Sequence, residues 1–213
     1  MKRNKYYDHN RKNITIFKKT KTQFHTINRA AVLIPIIAIE NQLHLLFQVR
    51  SKKLKWQPGD ICFPGGRVEA TDDSPEYTAK RETFEELGIA INQITILGQL
   101  PKFIASLGMM IYPFVAKIES LDNLILNQDE VESVFTVPLE WFINHQPKQA
   151  NMLVGFKPDD NFPFELVPNR SANWQQKSQH NVHFYQYEEF VIWGLTAQII
   201  NSFISTIKTN AQL

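Results

Sequence analysis

The stretch Gly65-Gly66-Arg67-Val68-Glu69, running on through Asp72-Asp73-Ser74-Pro75 and closing with Arg81-Glu82-Thr83-Phe84-Glu85-Glu86-Leu87-Gly88-Ile89, decides how this chain is read. Ser74 can cap a helix with its hydroxyl, Pro75 suits the first helical position and Gly88 suits a left-handed stop, so the pattern predicts a helix over Pro75 to Leu87. On that helix Glu82 and Glu86 stand at i and i+4, with Glu85 at i+3 from Glu82, and the three carboxylates share a face. A solvated helix face normally interleaves opposite charges. Like charges one turn apart cost roughly 0.2–0.5 kcal/mol per pair, and a carboxylate at the negative end of the helix dipole costs about 0.3–1 kcal/mol. A divalent cation removes both costs. Hard oxygen donors without cysteine or histidine among them favour Mg²⁺ or Mn²⁺ over zinc. The Gly65-Gly66 pair reads as a turn whose main chain can come close to a metal or a phosphate.

Outward from this segment, runs rich in Val, Ile, Leu and Phe predict strands at Ala31 to Ile39, Leu43 to Val49, Ile94 to Leu100, Met110 to Ile118 and Val131 to Val137. The first two, flanking Glu40-Asn41-Gln42, read as a hairpin. A short helix is expected from Pro138, carrying Leu139, Trp141 and Phe142, and a longer one from about Glu189 through Ile207. Between His145 and Tyr187 the chain is rich in Pro, Asn and Gln, with Phe156, Phe162, Phe164 and Trp174 scattered through it. So many aromatics suit an ordered excursion that covers the active site better than a flexible linker. Strands and helices in this order predict a layered α/β domain.

The chain has 213 residues, of which 43% are hydrophobic, enough for one substantial core. The formal net charge of +2 hides an uneven distribution: Lys2, Arg3, Lys5, Arg11, Lys12, Lys18, Lys19 and Lys21 face only Asp8 in the first segment. Residues 1–28 are therefore read as a basic, flexible terminus, and 29–210 as a single domain. No apolar run is long enough to span a bilayer or to form a signal core, which predicts a soluble, cytoplasmic protein. The closing Ala211-Gln212-Leu213 lacks the central basic residue of a peroxisomal address. The single cysteine, Cys62, excludes a disulfide framework and a multi-cysteine zinc site, and its apolar neighbours Ile61 and Phe63 make it a small buried residue. His180 and His183 lack a third ligand.

From Gly66 to Ile89 the sequence resembles the Nudix box, a glycine and a Glu followed after a spacer by Arg-Glu, an apolar residue, any residue, Glu-Glu, any residue, Gly and an apolar residue. It departs in three ways: the spacer is one residue longer, Asp72 or Asp73 stands where the first Glu is expected, and Thr83 replaces the apolar residue. Upstream, Leu45-Leu46-Phe47-Gln48-Val49-Arg50-Ser51, then Lys55, Gly59 and Phe63-Pro64-Gly65-Gly66, is similar to the added signature of the Nudix hydrolases that act on coenzyme A. Lys55 stands at that signature's second Arg, keeping the charge for a phosphate and losing the bidentate fork. Glu130 to Leu139 and Ile192 to Ala197 look like segments of the same branch.

The resemblance implies a Nudix fold, a mixed β-sheet sandwiched between helices, and hydrolysis of coenzyme A to 3′,5′-ADP and 4′-phosphopantetheine. It implies Glu82 and Glu86 as principal ligands of Mg²⁺ or Mn²⁺, with Glu85 as a further ligand or water-orienting group and Arg81 orienting the acidic cluster. Arg50, Lys55, Gly65 and Gly66 are the expected substrate contacts. Glu130 and Glu132 are candidate general bases. Trp193 and the aromatics of the excursion can stack on adenine or pack in the core. The expected partner is a small nucleotide, coenzyme A foremost, with no membrane and no nucleic acid, and a homodimer left open. Other substrates within the family, such as ADP-ribose or NADH, stay as alternatives, as does a nucleotide-sensing regulator without turnover.

Overall fold

The computed structural model describes residues 28–105, 108–167 and 173–210. The basic segment and the last three residues lie outside the described residues. Strand β1 (Arg29–Ile39) turns into β2 (Gln42–Arg50) through Glu40 and Asn41, both at positive φ (48° and 65°). A two-residue connection with two left-handed residues is the hairpin turn whose twist matches that of the strands. The strands β3 (Ile61–Cys62), β4 (Gly65–Arg67), β5 (Ile94–Gln99), β6 (Phe103–Ile104), β7 (Met110–Ile118) and β8 (Val131–Pro138) join them in a mixed eight-stranded sheet. Its spine is the parallel pairing of β1 with β7, from Arg29 opposite Met110 to Ile36 opposite Lys117, while β2 and β4 run antiparallel to β1.

Alternation along the central strands builds two cores. Ile34, Ile36, Leu45 and Phe47 point to one face, where they meet α2 (Leu139–Asn144) and α3 (Gly194–Asn210) through Phe142, Ile199, Ile200 and Phe203. Ala31, Leu33 and Leu46 point to the other, against Ala79 and Leu87 of α1 (Pro75–Leu87). A strand of period two buried on both faces needs a helix on each, and the sheet lies sandwiched as expected for a Nudix fold.

Two local expectations are corrected. The diglycine is not a turn: Gly65 and Gly66 lie in β4, opposite Val32 and Ala31. The last helix does not begin at Glu189, because Phe190–Trp193 form a strand, β11, entered through a turn at Glu188 (φ 51°). Val191 and Ile192 suit a pleat, and Ile192 is fully buried while Val191 and Trp193 face out. The ordered excursion is built largely as a second sheet, in which β9 (Lys148–Phe156) and β11 flank β10 (Gln175–Tyr187). Tyr185 anchors this sheet in the core, but Phe156 and Trp174 are exposed, Phe162 and Phe164 pack on each other, and Trp193 stacks on Phe184 near the surface.

Candidate active site

Helix α1 carries the acidic face. Its start is capped by the Ser74 hydroxyl, which accepts from the Tyr77 N–H at 3.1 Å, and Gly88 closes it at φ 74°. Burial sets the three carboxylates apart. Glu86 is 3% exposed, the Glu82 side chain 15% and the Glu85 side chain 49%.

Glu86 Oε2 accepts from the Gly65 N–H at 2.9 Å, and no cation pairs with it among the described residues. Burial pushes its pKa up to about 7, with the charges of Glu82 and Glu130 adding to the effect and the Gly65 N–H and the Gln48 amide opposing it. Glu82 is likewise raised, first by burial and then by Glu85 and Glu130, against the pull of Arg81. A Cβ at Gly66 would fall on the Glu82 carboxylate, and one at Gly65 on the Ala31 carbonyl and the Val32 backbone. The diglycine is therefore there for close approach: β4 lies directly over the acidic face of α1.

Arg81 organises the rest. Its Nε and Nη2 donate to the two oxygens of Asp72 at 2.9 and 3.0 Å, its Nη1 donates to Glu85 at 2.9 Å, and its Nη2 also meets Glu82 at 3.0 Å and the Arg67 carbonyl at 3.3 Å. The Asp72 side chain is 1% exposed. The guanidinium holds its carboxyl well below the usual carboxylate range, helped by the Glu69 N–H and the Thr78 hydroxyl. Asp72 is thus a support for Arg81, whereas Asp73 is exposed. Thr83, at an apolar position of the box, is buried and satisfies its hydroxyl on the Ala79 carbonyl at 2.7 Å.

The remaining residues divide. Glu130 acts on both buried carboxylates, while Glu132 is drawn to Lys52 at 3.6 Å. Arg50 donates weakly to the Trp56 carbonyl at 3.4 Å and lies against Cys62, and its Nε is buried without a partner. Lys55 is exposed on the same loop. Cys62 is no nucleophile: burial pushes its thiol up to about 11. His180 and His183 are an odd number of residues apart in the evenly paired part of β10 and project from opposite faces, so they cannot share a metal.

Gln48 was not singled out from the sequence. It is fully buried, its Nε2 meets the Cys62 Sγ at 3.6 Å, and its amide also supports Glu86. The available signal was a polar residue on the inward face of an apolar strand, two residues from Leu46 and hence on the α1 side.

The arrangement fits a divalent cation at Glu82 and Glu86. Both carboxylates are hard donors, the second has no cationic partner, and the glycines keep space beside them that a side chain would fill. Among the described residues no group of three or more His, Cys, Asp or Glu side chains is arranged to hold a metal, and Glu85 is engaged by Arg81. A pair still suffices for Mg²⁺, which keeps several waters and takes one or two carboxylates together with substrate phosphates.

Known proteins bear on this geometry. A family model of the NUDIX domain matches residues 27–156. Nudix hydrolase 3 of Caenorhabditis elegans is 38% identical over 183 residues, covering 84% of this chain and 72% of that protein. Peroxisomal coenzyme A diphosphatase NUDT7 of Mus musculus is 37% identical over 119 residues, 56% of this chain, and in that pairing the chain spans 50% of the relative's length. Among solved structures, a MutT/nudix family protein from Enterococcus faecalis shares the fold with a TM-score of 0.51 at 16% identity, over 85% of this chain and 62% of that one. With the box on α1, the diglycine strand above it and these likenesses together, the chain belongs to the Nudix hydrolase family.

Proposed function

We propose that this protein hydrolyses the pyrophosphate bond of coenzyme A or its derivatives, giving 3′,5′-ADP and 4′-phosphopantetheine or its acyl form. The observation that carries the chemistry is Glu86, a carboxylate buried beside a second one, bound by a main-chain N–H and without a cationic side chain as partner among the described residues. Such a pair is costly unless it is protonated or holds a metal. Mg²⁺ or Mn²⁺ bound there would neutralise charge on the pyrophosphate and make hydroxide available near neutral pH.

The chain's own residues have distinct parts in this reading. Glu82 and Glu86 hold the cation. Arg81 holds Glu82 and Glu85 in place from the Asp72 anchor, and Glu85, at the solvent edge of the face, orients water or completes the ligand set. Gly65 and Gly66 let the substrate phosphates approach the main chain, and Arg50 and Lys55 meet phosphate charge from the neighbouring loop. Water adds to phosphorus and the P–O bond to the bridging oxygen breaks. Of the two candidate bases, Glu130 is favoured, because its charge reaches the buried pair whereas Glu132 is taken by Lys52.

Two observations support coenzyme A: the signature from Leu45 to Gly66, and the mouse relative whose name gives that substrate. The intact set of Arg81, Glu82, Glu85 and Glu86 favours turnover over a sensing role. Residues 29–210 act as one domain in this reading, and no helix among the described residues is long and apolar enough to cross a membrane. Cytoplasmic residence is part of the proposal, and fluorescence imaging against a peroxisomal marker checks it.

The test is to incubate the protein with Mg²⁺ or Mn²⁺ and, separately, coenzyme A, ADP-ribose, NADH and a nucleoside triphosphate, and to identify products by mass. Release of 3′,5′-ADP and 4′-phosphopantetheine is expected. Intact coenzyme A alongside cleaved ADP-ribose would move the chain to another substrate of the family.

A further inference from the structure

The loop between β2 and β3, residues 51–60, carries the most exposed large apolar side chain among the described residues, Trp56, which is 82% exposed. An indole left in water is ordinarily a loose surface feature. This loop, however, is held at many points. The Ser51 N–H donates to the Glu130 carbonyl and the Ser51 hydroxyl to the Gln128 carbonyl, at 2.8 and 3.2 Å. Its N-terminal lysines are tied down, Lys53 to Asp129 at 2.8 Å and Lys52 to Glu132 at 3.6 Å. The Gly59 N–H returns to the Arg50 carbonyl and the Arg50 N–H reaches the Asp60 carbonyl, closing the loop at its base. Gln57 sits at φ 50° directly before Pro58, a backbone region that side-chain-bearing residues rarely adopt. A surrounding structure must hold such a residue there.

Two of these contacts lead to the acidic site. Glu130, whose carbonyl receives Ser51, acts electrostatically on both Glu82 and Glu86. Arg50, whose guanidinium donates to the Trp56 carbonyl, opens the loop, and the chain leaving it runs through Cys62, which meets Gln48 at 3.6 Å, to Gly65, whose N–H binds Glu86 at 2.9 Å. The loop is thus the rim of the site, and it presents an exposed aromatic ring next to Lys55, the one lysine of the loop without a carboxylate partner among the described residues. An exposed aromatic ring on a held backbone, with a cation next to it in the chain, is complementary to a base that carries phosphate.

We infer that Trp56 is a stacking platform for the adenine base of the substrate, with Lys55 meeting the phosphate attached to that nucleoside. The assignment rests on the nucleotide-hydrolase reading and adds the residue that distinguishes a substrate with a base from one without. Trp56 binds and takes no part in the chemistry at phosphorus.

The experiment is calorimetric titration of 3′,5′-ADP, ADP-ribose and 4′-phosphopantetheine into the full chain without metal, for the parent, Trp56→Ala and Trp56→Phe. Because the side chain faces solvent, neither variant should lose its fold, which circular dichroism checks. Trp56→Ala should weaken both adenine nucleotides about tenfold, in line with base stacking. Trp56→Phe should restore most of that loss, and 4′-phosphopantetheine, which has no base, should bind all three forms alike. Equal affinity of the parent and Trp56→Ala for the nucleotides, or no nucleotide binding to the parent, overturns the inference. If the parent cleaves ADP-ribose and leaves coenzyme A intact, while Trp56→Ala still weakens adenine nucleotides, the substrate proposal falls and the stacking assignment stands.

Discussion

At the scale of single residues, Glu86 is where stability and the proposed activity oppose each other. Its proton is held more tightly in the folded chain than in the unfolded one, since burial moves it up to about 7. In the metal-free protein this group's contribution to stability is therefore fully present below the ordinary glutamate range. The protein should lose about 3 kcal/mol from this group as pH rises through 7. Chemical denaturation between pH 4 and 8 measures this, and Glu86→Gln should flatten that slope while abolishing metal-dependent turnover. Activity retained in Glu86→Gln would reassign the ligands. Asp72 works in the other direction: Arg81 holds its carboxyl ionised, so its contribution is present above the ordinary carboxylate range and fades as pH falls. Its bidentate contact explains how a departure from the family pattern still serves the site. The Asp supports the arginine that supports the glutamates.

At the scale of elements, the site is a contact between α1 and β4, and it is as narrow as a missing methyl group. Gly66→Ala would place a Cβ on the Glu82 carboxylate, so that side chain must leave. We expect a loss of Mn²⁺ affinity of at least tenfold by isothermal titration, with little cost in stability, because the displaced group is the far end of a flexible side chain. Unchanged affinity would remove Glu82 from the ligand set. The limits of α1 could be read from Ser74, Pro75 and Gly88 because capping is local chemistry. The start of α3 could not. Phe190 to Trp193 suits a strand or a helix, and only pairing with β10, which buries Ile192, selects the strand. The same applies to β9 and β10, whose scattered aromatics and polar residues show no steady alternation. Their nearly continuous register, from Gln175 opposite Phe156 to Phe184 opposite Lys148, is a tertiary fact.

At the scale of the molecule, a mixed sheet with helices on either side presents the acidic face, the diglycine strand and the Trp56 loop at one end of β2. The basic segment contributes nothing to that assembly in the proposed mechanism. Removing residues 1–21 should leave kcat and KM for coenzyme A within about twofold, the scale expected of a tail that provides only weak, salt-screened attraction. A larger loss, greatest at low ionic strength and vanishing at high, would give the tail a steering role.

The residue types and spacing of the box determined the acidic helix and the hydrolytic chemistry, because helix periodicity alone puts Glu82 and Glu86 one turn apart. Strand alternation likewise determined which apolar residues form the sheet. Tertiary structure alone decided how those charges are divided: Glu86 goes under β4 to the Gly65 N–H, while Glu85 goes to the edge with Arg81. It also decided that Gln48 of β2 meets the same carboxylate. The physical reason is that burial, and with it the energy of a charge, depends on which distant element lies above each side chain.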